Sequence, residues 1–571
     1  MPARPDPSTR SQSTNRGVVY TPNPTTCPDP STRPQSTNRG VVYTPNPTTR
    51  LDAATRAATW ARTADRPWDV IVVGGGITGA GCALDAAARG LRTLLVERVD
   101  LAAGTSRWSS KLVHGGLRYL AKGDLAIAHE SALERHYLMT AIAPHLVTPL
   151  ATIVPLDTRT GRAMGALAEV GIRLGDALRL GVRTPGALLP RPRRISRREV
   201  QVHLPGIQPD GLRGGLLYFD GQLEDDARLV VAVARTAAGL GAEVLTHCAA
   251  TELTERSVRL TDEFTGESVV AEGVVVNATG VWVGEYAAQL AVTPSRGSHV
   301  VVRSDLLGDP RAVLTVPVPG HFGRYVFALP QPGGLTYIGL TDEPAPGADG
   351  VAPEVPEADI DFLLGTINAA LARPLTRADV IGQFAGLRPL VSRVAPEEAG
   401  APAAAIDSAD VSRKHLLIDE PGEPITIAGG KLTTYRRMAQ DAIDAVTRRL
   451  GHGAPCVTTT LPLVGAAPAR DLAGLDAPRP LVRRYGLEAQ AVWDLRHEAD
   501  WLAEPVVPGR HTLGVELLWG ALAEGALTPE DLVERRTRLA IVDADREPAL
   551  AAARRALDLA RSSGLAHSSS A

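Results

Sequence analysis

The sequence predicts a mixed α/β (α+β) protein with a nucleotide-binding domain, an antiparallel-sheet domain and a C-terminal helical domain. Three patterns favour this fold class: an apolar strand that runs into a glycine-rich turn at residue 74, apolar runs with strand character between residues 298 and 340, and helical periodicity from about Leu461. With 571 residues, 44% of them hydrophobic, the chain can bury a large core over two or three domains.

The first folded element is a βαβ unit that reads DVIVVGGGITGAGCALDAAARGLRTLLVE from Asp69 to Glu97. Gly74 permits a tight turn, Gly76 lets the backbone approach a pyrophosphate, and Gly79 packs the helix against the strand, while N–H groups at the helix start face the phosphates. Glu97 ends the second strand, where an acid can bind ribose hydroxyls. The unit predicts a bound adenine dinucleotide, NAD or FAD, contacted by Gly74, Gly76, Ile77, Thr78, Gly79 and Glu97.

The middle and the end of the chain differ in periodicity. The runs HVVVR, RYVFALP and LTYIGL are typical of strands, and Pro332, Gly333 and Gly334 predict a turn between the last two, so an antiparallel sheet is expected here. Farther on, Thr528 and Pro529 are typical of the cap and first residue of a helix, and PALAAARRALDLA predicts another helix.

The first fifty residues contain a tandem duplication. Residues 5–27 recur at 28–50, with changes only at Ser11, which is Pro34 in the second copy, and at Cys27, which is Arg50. The stretch is rich in Pro, Thr, Ser and Asn and has too little apolar surface to offset the entropy lost on ordering. We expect residues 1–66 to be a disordered extension, either a partner-binding arm or a dispensable segment.

The composition excludes several classes of protein. With 60 basic and 63 acidic residues the formal net charge is −3, so no global polycation indicates nucleic acid binding. The four cysteines lie far apart and form no CxxC pair, so neither a metal site nor a redox dithiol is predicted, and a reducing, cytoplasmic location fits. The sequence has no apolar run of about eighteen residues and no signal-peptide pattern, so any membrane contact is expected to be peripheral.

Further motifs, rich in small and hydroxyl-bearing residues, lie beyond the βαβ unit: GTSRWSSKLVHGGLRYL from Gly104, GGLLYFDGQLEDDARL at 214–229, VVVNATGVW at 274–282, RGSHVVV at 296–302, FAGLRPL at 384–390 and GGKLTTYR at 429–436. With these motifs the chain resembles the FAD-dependent, respiratory (aerobic-type) glycerol-3-phosphate dehydrogenases, a family within the amino-acid-oxidase-like flavoproteins. The resemblance covers roughly residues 67–560. Its most specific parts are SSKLVHGGLRYL, the DGQ and DDARL segment, and GGKLTTYR.

The resemblance implies a division into domains. A discontinuous, Rossmann-like FAD-binding domain is expected to consist of residues 67–150, 210–290 and 380–450. Residues 151–209 and 291–379 are expected to form the antiparallel-sheet substrate-binding domain, and residues 451–571 the C-terminal helical domain.

The resemblance also implies that the dinucleotide is FAD. Beyond the βαβ unit, segments that lie along the flavin in the family correspond to Thr105, Ser106, Ser110, Leu112, His114, Gly280, Gly430, Lys431, Leu432 and Thr433.

Oxidation of a secondary alcohol on a phosphorylated three-carbon substrate requires a hydride acceptor, a base for the hydroxyl proton, and cations for the phosphate. FAD supplies the first. Arginine suits the third requirement because its planar fork donates two parallel bonds to phosphate. By motif, the resemblance places Arg118, Tyr119, Arg388 and Lys431 at the substrate phosphate, with Arg413 as an additional cation.

The base is expected to be His299 of RGSH, which matches a family position near the reacting carbon. Histidine has an ordinary pKa of about 6.5, which suits proton transfer near neutral pH. His114 is the second candidate and is favoured more as a neighbour of the flavin. Arg388 can also polarise the developing carbonyl oxygen, so it is predicted to be catalytic as well as substrate-binding.

The implied reaction is hydride transfer from C2 of glycerol 3-phosphate to flavin N5, which yields dihydroxyacetone phosphate. In the family the electrons pass to a membrane quinone, which implies peripheral attachment to the inner face of the cell membrane. The arginine-rich segment 178–198 is either a lipid contact or a solvated loop. A homodimer is left open, and nothing in the chain specifies a partner protein.

Three alternatives remain at this point. An oxidase would use molecular oxygen on the same substrate. A related flavoenzyme would oxidise an amino or hydroxy acid, but it would direct its cations at a carboxylate. A flavin-binding protein without activity would not need the set formed by Arg118, His299, Arg388 and Lys431.

Overall fold

A computed structural model of the protein describes residues 49–116, 124–321, 323–393 and 414–562. The strands in these ranges are β1 (Val70–Val73), β2 (Thr93–Val96), β3 (Leu112–Val113), β4 (Val147–Leu156), β5 (Arg193–Ser196), β6 (Gly214–Leu223), β7 (Glu243–Leu245), β8 (Cys248–Thr251), β9 (Ser257–Asp262), β10 (Ser268–Glu272), β11 (Val274–Asn277), β12 (Leu290–Arg303), β13 (Val313–Pro317), β14 (Tyr325–Gln331), β15 (Leu335–Gly339), β16 (Glu343–Pro344), β17 (Val380–Arg393), β18 (His415–Ile418) and β19 (Ile425–Gly429).

The α-helices are α1 (Ala53–Ala61), α2 (Ile77–Ala88), α3 (Leu125–Tyr137), α4 (Arg162–Gly181), α5 (Arg197–His203), α6 (Asp226–Gly239), α7 (Glu357–Asn368), α8 (Tyr435–Leu450), α9 (Ala469–Leu472), α10 (Arg479–Tyr485), α11 (Ala489–Asp494), α12 (Gly514–Ala523) and α13 (Asp543–Ser562). Short π-helical segments occupy Leu138–Ile142 and Asp531–Arg536. Among the described helices, none combines the length and the apolar character needed to cross a bilayer.

A six-stranded sheet in the order β18-β19-β11-β1-β2-β7 forms the nucleotide-binding half, as the βαβ unit predicts. Its strands β19, β11, β1, β2 and β7 are parallel, and β18 is antiparallel to β19. The four residues of β1 are all buried, because helices α2, α6 and α8 cover one face of the sheet and the sheet β8-β9-β10 packs on the other. Parallel sheets covered on both faces need such continuous apolar strands.

A ten-stranded sheet forms the second half, and its core extends to helices α5 and α7. The predicted strands fall in β12, β14 and β15, which pair antiparallel as expected. Strands β6 and β17, from the segments 210–290 and 380–450, are part of this sheet and pair over their whole lengths, β6 with β4 and β17 with β12. Strand β3, from the segment 67–150, pairs with β6 at the edge of the same sheet. The domain boundaries themselves stay a prediction.

The C-terminal region is helical from α9 onward, with cores that include Leu481, Leu518 and Leu550. The predicted helix start is confirmed, since the Thr528 hydroxyl accepts a hydrogen bond from the Asp531 N–H at 3.2 Å. This region also packs against strand β17. A Cβ atom at Gly382 would lie 2.0 Å from the carbonyl oxygen of Ile541, so the two backbones meet directly.

The expectation of disorder through residue 66 is wrong for its described part. Asp52 caps α1, accepting the Thr55 N–H at 2.7 Å, and Leu51 is buried between backbone bonds to Ala523 and Gly525. Arg56 pairs with Asp262 at 2.8 Å. The capping sequence and one buried leucine order this stretch although it adjoins a polar repeat. Residues 1–48, with nearly all of the duplication, lie outside the described residues.

Candidate active site

The glycine-rich turn after β1 has the geometry that a nucleotide cradle requires. Gly74 has φ +111°, and a Cβ atom there would lie 2.6 Å from the carbonyl oxygen of Ala278. A Cβ atom at Gly79 would lie 1.8 Å from the carbonyl oxygen of Gly74, so that helix α2 packs directly on the turn. Both glycines are therefore required by close backbone approach.

The start of α2 is held by the segment that follows the βαβ unit. The Ser106 hydroxyl accepts the Ile77 N–H at 2.9 Å, and the Thr105 hydroxyl donates to the Leu387 carbonyl at 2.7 Å. Both residues were predicted to contact the cofactor, and both line the cavity described below. In this structure their hydroxyls also tie the helix start to strand β17.

Glu97 follows strand β2 and braces the same turn. Its carboxylate oxygens accept the Gly75 N–H at 2.6 Å and the Val99 N–H at 2.8 Å. Burial raises the pKa of the Glu97 carboxyl, and the two N–H donors oppose that rise. Its predicted contact with ribose hydroxyls stays a prediction.

A cavity of about 990 Å³ begins at this turn and collects most of the predicted site. Volumes of 300–1,000 Å³ are usual for ligand sites, so this one suits a large cofactor with a small substrate. Of the predicted cofactor-binding residues, those on its wall are Gly74, Gly76, Ile77, Thr78, Glu97, Thr105, Ser106, Ser110, Leu112, His114, Gly280, Gly430, Lys431, Leu432 and Thr433. Gly79 lies behind the turn. The glycine cradle, the helix start and the GGK loop together fit a flavin dinucleotide.

His299, on strand β12, lies on the cavity wall with only 2% of its surface exposed. Its ring stacks on Phe384 with centroids 4.6 Å apart, and Nε2 lies 2.9 Å from the Ser110 hydroxyl oxygen. Burial, together with the nearby charges of Lys111 and Arg388, lowers the pKa of His299 to about 3. The ring is therefore neutral at physiological pH, which is the form that accepts a proton, but it is a weaker base than the ordinary pKa of about 6.5 predicts.

Arg388 reaches the cavity from strand β17. Nη1 donates to Asp342 and to the Ser295 hydroxyl, both at 3.2 Å, and Nη2 donates to the Thr341 carbonyl at 3.1 Å. Gly297 leaves the space that the guanidinium occupies, since a Cβ atom there would lie 2.4 Å from Nη2. Sequence reasoning identified Arg388 but missed Ser295 and Asp342, which orient it.

Lys431 lies at the turn between β19 and α8. Gly429 and Gly430 precede it with φ of +73° and +74°, and a Cβ atom at Gly430 would lie 2.5 Å from the sulfur of Met438. Lys431 Nζ donates to the Ser131 hydroxyl at 2.6 Å. The GGK motif thus places Lys431, like Arg388, among the residues that line the cavity.

His114 lines the cavity at the HGG turn, which a buried ion pair supports. Asp220 accepts the Gly115 N–H at 3.0 Å and pairs with Arg135 at 2.6 Å. Burial raises the pKa of the Asp220 carboxyl, and Arg135 opposes that rise. Arg118 and Tyr119, just after this turn, and Arg413 lie outside the described residues.

Sequence reasoning missed a buried ion pair behind His299. Lys111 Nζ lies 2.5 Å from a carboxylate oxygen of Asp226, and neither side chain is exposed. Burial lowers the pKa of the Lys111 ammonium, while Asp226 opposes that change. Lys111 belongs to SSKL and Asp226 to DDARL, two of the specific motifs. The opposite charges of these two motifs were the signal from which the ion pair could have been predicted.

Two family matches cover most of the chain. Residues 69–410 match the family described as FAD dependent oxidoreductase, and residues 456–563 match the C-terminal domain of alpha-glycerophosphate oxidase. Glycerol-3-phosphate dehydrogenase 1 of Mycobacterium tuberculosis (strain ATCC 25618 / H37Rv) is 48% identical over 492 residues, which cover 85% of this chain and 94% of that protein. Glycerol-3-phosphate dehydrogenase of Synechocystis sp. (strain ATCC 27184 / PCC 6803 / Kazusa) is 34% identical over 519 residues, covering 84% and 90%.

Solved structures agree with these matches. The glycerol-3-phosphate dehydrogenase from Bacillus halodurans complexed with FAD superposes with a TM-score of 0.66 at 26% identity, over 89% of this chain and 94% of that chain. Reduced L-alpha-glycerophosphate oxidase from Mycoplasma pneumoniae with FAD bound gives a TM-score of 0.52 at 17% identity, over 70% and 99%, a likeness of fold alone.

Proposed function

Because the chain belongs to the family of FAD-dependent glycerol-3-phosphate dehydrogenases, we propose that it oxidises sn-glycerol 3-phosphate to dihydroxyacetone phosphate. The observation that carries this proposal is one cavity that joins the glycine cradle to His299, Arg388 and Lys431. A nucleotide site, a neutral base and two cations are the groups that oxidation of a phosphorylated alcohol requires.

Arg388 and Lys431 are proposed to bind the substrate phosphate. A hydrogen bond to a charged group contributes roughly 1.5–3 kcal/mol, and the planar guanidinium can donate two such bonds to one phosphate. The bonds from Arg388 to Ser295 and Asp342 restrict the motion of the guanidinium, which lowers the entropy lost on binding. Arg118, Tyr119 and Arg413 are proposed to complete the phosphate site.

His299 is proposed as the base. The hydroxyl proton of the substrate passes to the imidazole of His299, or to a water that His299 orients, as the C2–O bond becomes a carbonyl. Bound FAD supplies the acceptor for the hydride that leaves C2. Arg388 stabilises the negative charge that develops on the oxygen as the proton leaves.

An anaerobic titration tests this function. Flavin absorbance of the purified holoenzyme should bleach with glycerol 3-phosphate and stay unchanged with glycerol, which lacks the phosphate. A flavin that stays oxidised with glycerol 3-phosphate but is bleached by an amino or hydroxy acid would overturn the assignment.

A membrane quinone is the proposed electron acceptor, with molecular oxygen as the second candidate. The oxidase reading is favoured by the match of the C-terminal region to a domain of alpha-glycerophosphate oxidase. The dehydrogenase reading is favoured by the relatives that carry that name. Peroxide formed in air at the rate of substrate oxidation, without added quinone, would establish the oxidase.

Peripheral attachment to the cytoplasmic face of the membrane is proposed to involve helix α4. Leu167, Val170, Leu174 and Leu180 of this helix are each about half-exposed. The nearby basic segment is less available than its sequence indicates, because Arg193 and Arg194 pair with Glu199 and Glu169. The apolar face of α4 is therefore the stronger part of the proposed contact.

Vesicle sedimentation tests this contact. Val170→Glu/Leu174→Glu should reduce binding to anionic vesicles severalfold. The control is Leu240→Glu, since Leu240 is an exposed leucine just after helix α6, and this variant should bind as the wild type does. Equal binding of all three proteins would contradict the proposed membrane contact of helix α4.

A further inference from the structure

The buried carboxylate of Asp226 forms hydrogen bonds with both neighbours of Ser110 in the sequence. One oxygen accepts Lys111 Nζ at 2.5 Å, and the other accepts the N–H and the hydroxyl of Ser109 at 2.9 and 2.7 Å. Lys111 Nζ also donates to the carbonyl of Arg107 at 2.5 Å. These bonds connect the first turn of α6 to the segment that forms part of the cavity wall.

The segment that Asp226 holds has an unfavourable backbone conformation. Lys111 has φ +60°, in the left-handed region that side chains other than glycine rarely adopt. Such a conformation persists only where the surroundings enforce it, and it is frequent at functional sites. Here the enforcing contacts are the bonds of the fully buried Lys111 ammonium, together with two backbone bonds: the Lys111 N–H donates to the Ser109 hydroxyl at 3.0 Å, and its carbonyl accepts the Leu223 N–H at 2.8 Å.

The bend at Lys111 determines where Ser110 points. The Ser110 hydroxyl oxygen lies 2.9 Å from Nε2 of His299, while Phe384 stacks flat against the His299 ring. Stacking fixes the plane of the ring but permits a 180° flip about the Cβ–Cγ bond, which keeps the plane and exchanges Nε2 with Cε1. The hydrogen bond between Ser110 and Nε2 removes that freedom and determines which edge of the ring faces the serine.

We propose that Asp226 is a positioning residue for His299: by clamping Ser109 and Lys111 it keeps the Ser110 hydroxyl against Nε2 and thereby orients the base. The inference rests on the proposed function, in which His299 accepts the substrate proton. Ser110 then has a role beyond the predicted contact with the cofactor, and the SSK and DDARL motifs form one unit.

The test compares purified holoenzymes by anaerobic stopped-flow reduction of the flavin with glycerol 3-phosphate. Ser110→Ala should lower the limiting rate of reduction at least tenfold and change the apparent Kd for glycerol 3-phosphate less than threefold, because phosphate binding is untouched. Ser110→Thr keeps a hydroxyl and should stay within threefold of the wild-type rate. Asp226→Asn should slow reduction at least as much as Ser110→Ala.

Glu488→Gln is the matched control, since it breaks another buried ion pair, with Arg235 at 2.7 Å, and Glu488 is not part of the cavity wall. It should lower the melting temperature and leave the rate per bound flavin unchanged. If Asp226→Asn fails to fold, Ser109→Ala takes its place, because it removes the hydroxyl that donates to Asp226 at 2.7 Å, and it should slow reduction in the same direction.

Three results would overturn the inference. In the first, the flavin of folded Asp226→Asn is reduced as fast as that of the wild type, and in the second the same is found for Ser110→Ala. In the third, Ser110→Ala loses FAD while its flavin-loaded fraction keeps the wild-type rate. The third result would assign Ser110 to cofactor binding alone. Failure of the proposed function is distinguishable, because the wild-type flavin would then not be reduced by glycerol 3-phosphate at all.

Discussion

Arg388 and Asp342 form an ion pair at the edge of the cavity, with Nη1 of the arginine 3.2 Å from a carboxylate oxygen. The Ser295 hydroxyl donates to the same carboxylate oxygen at 2.5 Å and accepts from Arg388. The guanidinium is thus oriented by protein groups before any ligand binds, and part of its charge is balanced. An arginine held in this way can bind a phosphate without first changing its rotamer.

Arg388→Ala should lower kcat/KM for glycerol 3-phosphate at least tenfold, a loss of about 1.4 kcal/mol of transition-state stabilisation. Steady-state kinetics with a soluble quinone analogue or an artificial acceptor measure it. Arg393→Ala is the control, because Arg393 lies at the end of the same strand and forms an exposed pair with Glu420. Unchanged kinetics of Arg388→Ala would remove this residue from the site.

Gly79→Ala should abolish stable FAD binding, because its methyl group would lie 1.8 Å from the carbonyl oxygen of Gly74 and would displace the turn. The ratio of flavin to protein absorbance after gel filtration measures the loss. Gly171→Ala, in α4, is the control, since the space around that position is open. The control should keep its FAD and gain up to about 1 kcal/mol of stability from helix propensity. A flavin-loaded Gly79→Ala protein would contradict the close contact.

Glu524→Gln should destabilise the protein by about 3–5 kcal/mol, because it leaves the buried charge of Arg228 uncompensated. These two side chains link α6 to the end of α12 and are almost completely buried. Denaturant unfolding measures the change. Asp558→Asn, which breaks an exposed pair with Arg561, should change stability by less than about 1 kcal/mol. Equal effects of the two substitutions would show that the buried pair contributes no more to the free energy of unfolding than the exposed pair does.

His145→Gln should make the protein less sensitive to acid. Burial lowers the pKa of His145 in the folded state to about 3, whereas an unfolded histidine has a pKa of about 6.5. Above pH 6.5 both states are neutral and the residue has no pH-dependent effect. Below pH 6.5 only the unfolded state binds the proton, so the folded state loses stability as pH falls towards 3.

Between pH 7 and pH 5 the free energy of unfolding of the wild type should therefore fall by about 2 kcal/mol more than that of His145→Gln. Urea unfolding of both proteins at these two pH values gives the difference. His299 contributes equally to both proteins and cancels in this comparison. Parallel pH profiles of the two proteins would contradict a neutral, buried His145.

The glycine turn could be predicted in full because its motif is local. A Cβ atom at Gly79 would meet the carbonyl of Gly74 five residues earlier, so that constraint is local, and the βαβ motif predicts Gly74 although its own close neighbour, Ala278, is distant in sequence. The positions of Arg388 and Lys431 followed from motif resemblance. Their partners Asp342 and Ser131 did not, because nothing in a local pattern specifies which distant polar group a cation meets.

The sheet to which a strand belongs could not be predicted where the information is long-range. Strands β6 and β17 have the apolar character of either sheet, and only their pairing with β4 and β12 decides which one they join. Helix α1 was likewise not predicted, because it directly follows the polar duplicated segment. Its order depends on Leu51, which bonds to residues more than four hundred positions away. The ion pair between Lys111 and Asp226 was missed for the same reason.

The contact between Gly382 and Ile541 changes how substitutions in the C-terminal domain should be interpreted. Strand β17 carries both Phe384, the platform for His299, and Arg388. Among the described residues, none beyond Thr433 lines the cavity, yet the backbone at Ile541 sets how closely β17 can approach that domain. A genetic variant at residue 382 or 541 could therefore impair turnover while every residue that contacts the substrate keeps its identity.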